Sequence, residues 1–497
     1  MIFLASLLSF LTGFLSLCTE ILWIRIFSYS LQVRPHAFAF VLVYYLLGIA
    51  FGALIGKRFC DSRFNLWFVS GITLVTASFF DLLGPFIYST YFAPPYPMNL
   101  AAFFIFISAL LKAVIFPIAH FLGVSPSDKQ LAKKISRVYV ANIIGATLGP
   151  IFVTYILLVF FTTQQAVIVC AILTFALGGF CLLKQLRPIA LGSLTMIMSL
   201  MFAGFLSLNA NYLIAHLSYP LSTIKRIIEN QYGIISIYGT KGGDTVFGGN
   251  VYDGSTNLDP VANTNKINRL LILPVLQEKP KRILMIGLSI GTWLKLATSF
   301  PSVEKIDVIE INPGYLQAIQ DYPPQFAGIN DPRVNLVIDD GRRWLRNHPD
   351  KIYDLIISNS TFHWRAYATN LLSIEFIELI RSHMSPNAVF TYNSTYSPDA
   401  LKTAAIAFRH AYFYENFVVA ADFDWRKKLT RPEAKTILAE LKIDGKPLFP
   451  SDKQQVIDYY LNKPVKTLAE IEAIVHRPTE VITDLNLITE YRYGLIL

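Results

Sequence analysis

The sequence predicts two parts of different class. A multi-span α-helical membrane domain occupies residues 1–208, and a doubly wound α/β domain with a small β-sheet at its N-terminal side follows. Three observations predict this. The 497 residues are 53% hydrophobic and 15% charged, where a soluble domain is about 25% charged. Seven apolar runs lie before residue 210, each near the roughly 20 residues that cross a bilayer. After residue 281, short apolar runs alternate with helical ones, the order that builds a parallel sheet with helices on both faces. This composition excludes a disordered chain, a fibre and a wholly soluble enzyme.

The spans fall near 2–24, 37–56, 66–91, 99–123, 138–161, 165–183 and 188–208. The first has no basic start and no small-residue cleavage site, so it reads as a retained anchor rather than a signal peptide. Lys57, Arg58 and Arg63 follow the second span, Lys129, Lys133, Lys134 and Arg137 the fourth, and Lys184 and Arg187 the sixth. Only Arg25 and Arg34 stand on the other side. This asymmetry puts the N-terminus in the cytoplasm and everything beyond 209 outward, across an inner or cytoplasmic membrane if the source is a bacterium. The lipid bilayer is therefore an expected partner. The formal charge of +9 is accounted for by such loops. No basic run interleaves with aromatics, so no nucleic-acid partner is expected.

Glu20, Asp81, Lys112 and His120 lie at membrane depth, where ionisable side chains are costly and functional by default. Glu20 and Asp81 stand near span ends and can instead snorkel to the interface. Gly48, Gly52 and Gly56, and Gly145 with Gly149, repeat at the spacing that lets helices pack closely. The cysteines are Cys18, Cys60, Cys170 and Cys181. None has metal-ligand spacing, and no metal is expected.

Residues 209–229 read as an interfacial linker. Over 230–257, YGIISIY and two shorter β-like runs alternate with the turn signals Lys241–Asp244 and Asp253-Gly254, predicting a small antiparallel region. A helix over 262–277 follows. The main α/β domain is expected over 258–415, with strands at Arg282–Ile286, Lys305–Ile311, Val334–Ile338, Tyr353–Ser358 and Ala388–Tyr392. Helices are expected at Thr292–Ser299, Pro313–Asp321, Arg342–Asn347 and Ser373–His383. The tail, 416–497, reads as helical, with Pro432–Leu441, Ser451–Leu461 and Leu468–Ile474 as its segments.

Such sheets bind ligands at the carboxyl ends of their strands. The first strand of the α/β domain ends in Gly287-Leu288-Ser289-Ile290-Gly291, where glycines permit a tight turn and close approach to a ligand. The second ends in Glu310, nineteen residues after Gly291, where an acid can accept both hydroxyls of a ribose. The third ends in Asp339-Asp340-Gly341. A carboxylate there can accept from an adenine amino group. Together the three tips spell an adenosine site. The same glycine turn also fits G-x-S-x-G, the nucleophile elbow of hydrolases, with His363 or His383 as base and Asp354 as orienter. No HGGG-like oxyanion loop lies upstream, and that reading leaves Glu310 and Asp340 unexplained.

Segment 282–312, Asp340-Gly341-Arg342 and Tyr353–Thr361 resemble the spermidine synthase, or polyamine aminopropyltransferase, family. Gly13–Ser28, Arg137–Gly149 and Thr483–Tyr491 resemble its membrane-fused branch. The resemblance implies a Rossmann-like domain of the class that binds S-adenosylmethionine. It implies decarboxylated S-adenosylmethionine, or S-adenosylmethionine itself, as co-substrate and aminopropyl transfer to a small-molecule acceptor. Gly287, Ser289 and Gly291 would form the glycine turn, Glu310 would hold the ribose, and Asp340 with Gly341 would meet the adenine. Asn359-Ser360-Thr361 matches the catalytic loop, with Asn359 at the position of the family's catalytic Asp.

Three family acids are absent. Ile290 stands where the glycine turn carries an Asp, and Asn359 and Phe362 fill both acidic positions of the catalytic loop. The family's Tyr-His-Glu element is missing too, and Asn263–Arg269 lies nearby instead. An amine nucleophile must lose a proton, which favours a carboxylate base. Asn359 can orient an acceptor or a water but cannot be that base. His363, Trp364, Arg365, Tyr367, Tyr392 and Asn393 are further candidates beside the cleft, with Trp364 or Tyr392 able to stack on a ring or sulfonium. The His363-Trp364-Arg365 trio favours an anionic or neutral acceptor. Alternatives are methyl transfer, cleavage of the same sulfonium, or a non-catalytic nucleoside sensor or scaffold on a transport-like membrane module. A homo-oligomer is compatible with each.

Overall fold

The computed structural model describes residues 1–92, 97–125, 130–183, 185–218, 223–359 and 362–492. Two compact units emerge, Met1–Pro220 with Glu229–Ile234, and Leu221–Ile228 with Ile235–Leu497.

In the first unit, seven helices among the described residues are long and apolar enough to cross a membrane. They are α1 (Ile2–Ser30), α2 (His36–Cys60), α3 (Leu66–Thr90), α4 (Met98–Gly123), α5 (Leu131–Phe160), α6 (Thr163–Leu182) and α7 (Pro188–Ser207). Glycine spacing decides two of the helix pairings. A Cβ added at Gly48, Gly52 or Gly56 of α2 would collide with the carbonyl oxygens of Phe106, Leu110 and Val114 on α4. Gly145 and Gly149 of α5 meet the carbonyls of Phe10 and Phe14 on α1 in the same way. Only hydrogen in place of a side chain allows such backbone approach.

Asp81 does not snorkel. It lies within α3, and both of its oxygens stand 2.7 Å from Lys112 Nζ of α4. Lys112 also donates to Thr19 Oγ1 at 3.0 Å and Ser108 Oγ at 3.1 Å. All three ammonium hydrogens can thus be satisfied, which is what makes a buried pair tolerable. Arg25 lies inside α1 rather than in a loop, because that helix runs to Ser30. Its guanidinium donates to Thr163 Oγ1 and to the carbonyls of Asn230 and Gly233.

The 209–229 linker is more ordered than its composition predicts. It carries a short helix, Tyr212–Leu217, and most of strand β1 (Ile224–Asn230). β1 heads a four-stranded sheet, with β2 (Gly233–Tyr238), β3 (Thr245–Gly248) and β4 (Val251–Ser255) following in order. The helix expected over 262–277 is two short helices, Asn268–Leu271 and Leu273–Leu276. Pro274 lacks the N–H a continuous helix needs, and Asn263 and Lys266 hold positive φ.

The main sheet of the second unit has eight strands. Five of them are β5 (Arg282–Ile286), β6 (Lys305–Glu310), β7 (Val334–Ile338), β8 (Tyr353–Ser358) and β9 (Met384–Asn393). These run parallel in the order β9-β8-β5-β6-β7. Helices α8 (Thr292–Ala297), α9 (Gly314–Ile319), α10 (Gly341–Asn347), α11 (Ile374–Ser382) and α12 (Pro398–Ala407) accompany them. Apolar clusters line both faces.

The sheet is not purely parallel. β10 (His410–Tyr414) and β11 (Phe417–Ala421) form an antiparallel hairpin, and β11 pairs antiparallel with β9. This corrects the expected helical tail from 416, since its first segment is an interior strand. Phe417–Ala421 is buried at every position, so it lacks the alternation that marks a half-exposed strand. Further on, β12 (Lys442–Ile443) pairs with β13 (Lys446–Pro447), and β14 (Val465–Lys466) joins the sheet edge beside β10. The helices Pro432–Ala439, Gln454–Leu461 and Leu468–Ile474 do form.

Replacing Lys112 by Met strands the Asp81 carboxylate in the bundle and is expected to cost about 3–5 kcal/mol. Adding Asp81→Leu to that variant is expected to restore most of the loss. Thermal unfolding in detergent measures both, and equal melting temperatures for wild type and Lys112→Met would contradict the assignment.

Candidate functional site

The parallel register sets the carboxyl ends of β5, β6, β7 and β8 side by side. After β5 the chain turns through Gly287 (φ 90°), Ser289 (φ 49°) and Gly291 (φ 78°). Gly287 N–H donates to Ile309 O, and Gly291 N–H closes the turn on Leu288 O. Three left-handed residues within five explain the two glycines, and Ser289 is the strained member.

Glu310 ends β6 and turns its carboxylate back onto this turn. Oε2 accepts the Leu288 N–H and Oε1 the Asn312 N–H, both at 2.8 Å. A carboxylate offers about four lone-pair sites; the Ser289 N–H also pulls on this one, so at least one site is left for a ligand. Glu310 is 4% exposed, and burial pushes its pKa up to about 7 against the pull of those N–H groups. Ile311 (55% exposed) and Ile338 (40%) stand beside it at the ends of β6 and β7.

Asp340 has a role the sequence did not reveal, since it caps α10 by accepting the Arg343 N–H at 2.8 Å. Its neighbour Asp339 accepts Arg343 Nε at 2.6 Å. Gly341 is set by space, because a Cβ there would lie 2.6 Å from Ile286 Cγ2. Asn359 follows β8, and its N–H donates to Ile286 O at 3.0 Å. Ser360 and Thr361 lie outside the described residues.

Two site residues escaped sequence reading. Asp253 of β4 was legible only as part of a turn signal, yet it accepts the Tyr315 hydroxyl at 2.5 Å. Burial raises its pKa, with the Tyr315 hydroxyl and the Arg365 charge opposing. β4 also lies against the glycine turn, since a Cβ at Gly254 would stand 2.9 Å from Ser289 Oγ. Arg269 is the second. It is buried with its guanidinium 4.4 Å from the Phe417 ring centre and 5.1 Å from that of Trp293.

A cavity of about 400 Å³ opens here, lined by Asp253, Arg269, Asn359, Trp364, Arg365 and Asn393 among others. Asp253 is its one carboxylate among the described residues. The other sequence candidates stand elsewhere. Tyr392 is buried and donates to Ala400 O, and Tyr367 is exposed. His363 bonds Thr395 through Nδ1 at 2.6 Å, and burial lowers its pKa to about 4. The hydrolase elements do not converge on Ser289. The ring nitrogens of His383 face the Leu379 and Leu345 carbonyls, and Asp354 accepts the Lys281 and Arg282 N–H groups.

Because the folded pKa of Glu310 lies above the ordinary carboxyl value, its protonated form favours the fold. That contribution is complete below the ordinary range and is lost as pH rises through 7. Ribose hydroxyls donate to the ionised form, so ligand affinity runs the opposite way. Affinity for 5′-methylthioadenosine is expected to rise about tenfold from pH 6 to pH 8. Equilibrium dialysis across that range reads it, and a flat or falling profile would contradict the role of Glu310.

Residues 269–420 match the family model described as spermine/spermidine synthase domain, so the C-terminal part carries a spermidine synthase domain. A polyamine aminopropyltransferase of Streptococcus pneumoniae is 39% identical over 83 residues, 16% of this chain and 29% of that protein. Putrescine N-methyltransferase 2 of Nicotiana attenuata is 34% identical over 111 residues, 22% of this chain and 30% of that protein. The chain thus spans less than a third of the length of these curated relatives. A solved spermidine synthase from Thermotoga maritima aligns over 48% of this chain and 84% of its own, at 20% identity and a TM-score of 0.39.

Proposed function

We propose that the spermidine synthase domain binds a sulfonium nucleoside at the tips of β5, β6 and β7 and transfers an alkyl group from it. The donor is decarboxylated S-adenosylmethionine, from which the group is aminopropyl by family, or a related sulfonium nucleoside. One observation carries this reading. The Glu310 carboxylate is held against the glycine turn with accepting capacity to spare, and it interacts with Asp253, which lines a cavity together with Asn359.

The chain's part in the reaction is alignment. A sulfonium carbon is already activated, so holding nucleophile and carbon in line supplies most of what is needed. The C–S bond breaks, a bond from that carbon to the acceptor forms, and neutral methylthioadenosine leaves. The acceptor's proton passes to water, since Asn359 cannot take it. Gly287, Ser289 and Gly291 give the nucleoside a close backbone approach, Glu310 binds the ribose, and Asp340 with Gly341 borders the adenine. Asp253 is placed to meet a donor ammonium.

Methyl transfer from S-adenosylmethionine is the second reading. It is favoured by Ile290 and Phe362 at family acidic positions and by the N-methyltransferase among the relatives. The seven apolar helices support a multi-pass membrane anchor, and the loop charges favour an outward α/β domain.

Incubating the purified full chain with labelled donors and a mixture of small acceptors separates the readings. Methylthioadenosine from the decarboxylated donor is the expected product. S-adenosylhomocysteine from S-adenosylmethionine would instead establish methyl transfer. Binding without turnover of either donor would overturn the enzymatic proposal in favour of a sensor.

A further inference from the structure

The polar wall around Asn359 has a direction. Arg269 carries donors and no acceptor. Its Nη1 donates to Asn416 Oδ1 at 2.8 Å. Asn416 Nδ2 then donates to Asn393 Oδ1 at 3.1 Å, an oxygen that also accepts the Thr395 N–H at 3.1 Å. Asn393 Nδ2 in turn donates to Asn359 Oδ1 at a long 3.5 Å. Each amide is oriented by the one before it. The carbonyl of Asn359 faces Asn393 and uses one lone pair there, so its two amide N–H groups are the larger part of what it offers a ligand.

The charges agree with that polarity. The cavity beside Asn359 is lined by Lys266, Arg269 and Arg365 against the single carboxylate of Asp253. A second cavity of about 590 Å³ shares Lys266 and Tyr396 with the first. It adds two more lysines and one acid, Glu415, which stands 2.9 Å from Lys463. An elongated molecule reaching from Asn359 past Tyr396 would therefore meet five cations and two carboxylates. A polyamine there would face like charges and inward-turned donors, both of which repel it. A carboxylate would be met by the Asn359 amide and by a net positive lining, to which Arg269 adds charge while its Nε, Nη1 and Nη2 donate to Lys266 O, Asn416 Oδ1 and Asn265 O.

We infer that the subsite lined by Asn359, Arg269, Arg365 and Lys266 takes a carboxylate-bearing small molecule, and not a polyamine, as acceptor. This rests on the donor reading above, in which the neighbouring strand tips hold the nucleoside. The nucleophile is then an uncharged or weakly basic atom of an acidic molecule, which is consistent with a site that has Asn where a general base would stand.

Glutarate and cadaverine share a five-carbon chain and carry opposite charges at their ends, which makes them a matched pair of probes. Equilibrium dialysis of the full chain in neutral detergent, with and without saturating methylthioadenosine, measures both. Glutarate is expected to bind at least about tenfold more tightly than cadaverine. Asn359→Asp reverses the polarity of the wall, and Lys266→Glu reverses the charge where the two cavities join. Each is expected to shrink that preference about tenfold, with methylthioadenosine affinity unchanged in Lys266→Glu.

Equal or tighter binding of cadaverine, or a preference unmoved by both substitutions, would overturn the acceptor inference while leaving the donor site standing. Failure of methylthioadenosine to bind, with the glutarate preference intact, would overturn the donor reading alone.

Discussion

The pairing of β5 with β6 on one side and β8 on the other is the constraint from which the site follows. Both pairings are parallel, so these three strands leave the sheet at the same edge. The turn after β5, the acid ending β6 and the amide after β8 are thereby brought together from positions far apart in the chain. The bond from Leu288 N–H to Glu310 then fixes one tip against its neighbour. A single-residue slip of β6 would exchange the faces of Ile309 and Glu310 and remove the carboxylate from the turn.

The two sides of this site differ in character. The side proposed for the nucleoside is built from backbone and acid, with Glu310 nearly out of solvent. The side proposed for the acceptor is built from amides and cations. Its polarity starts at Arg269, whose guanidinium lies against two aromatic rings and hands its direction through Asn416 and Asn393 to Asn359.

Much of this was legible because parallel strands announce themselves. Arg282–Ile286, Val334–Ile338 and Tyr353–Ser358 are short apolar runs bounded by turn residues, and the residues that end them could be read as ligand contacts. What escaped had one of two causes. β11 is buried throughout, so no alternation marks it as a strand within a tail whose pattern reads as helical. Asp253 and Tyr315 meet across 62 positions, and Arg269 reaches Asn416 across 147. Such contacts are made by tertiary packing and leave no local pattern. In the helical half, the glycine spacing of α2 and α5 was readable for the same reason as the strands. The partner of Asp81 was not, because the ion pair joins two separate helices.

The account rests on Glu310 accepting the hydroxyls of a ribose. A calorimetric titration of the full chain with 5′-methylthioadenosine, run on the wild type and on Glu310→Ala, tests this most directly. One site per chain is predicted for the wild type. Loss of the charge-assisted hydrogen bonding to the ribose in the variant is predicted to weaken binding by at least about tenfold. Equal heats and equal affinities for the two proteins would contradict the account.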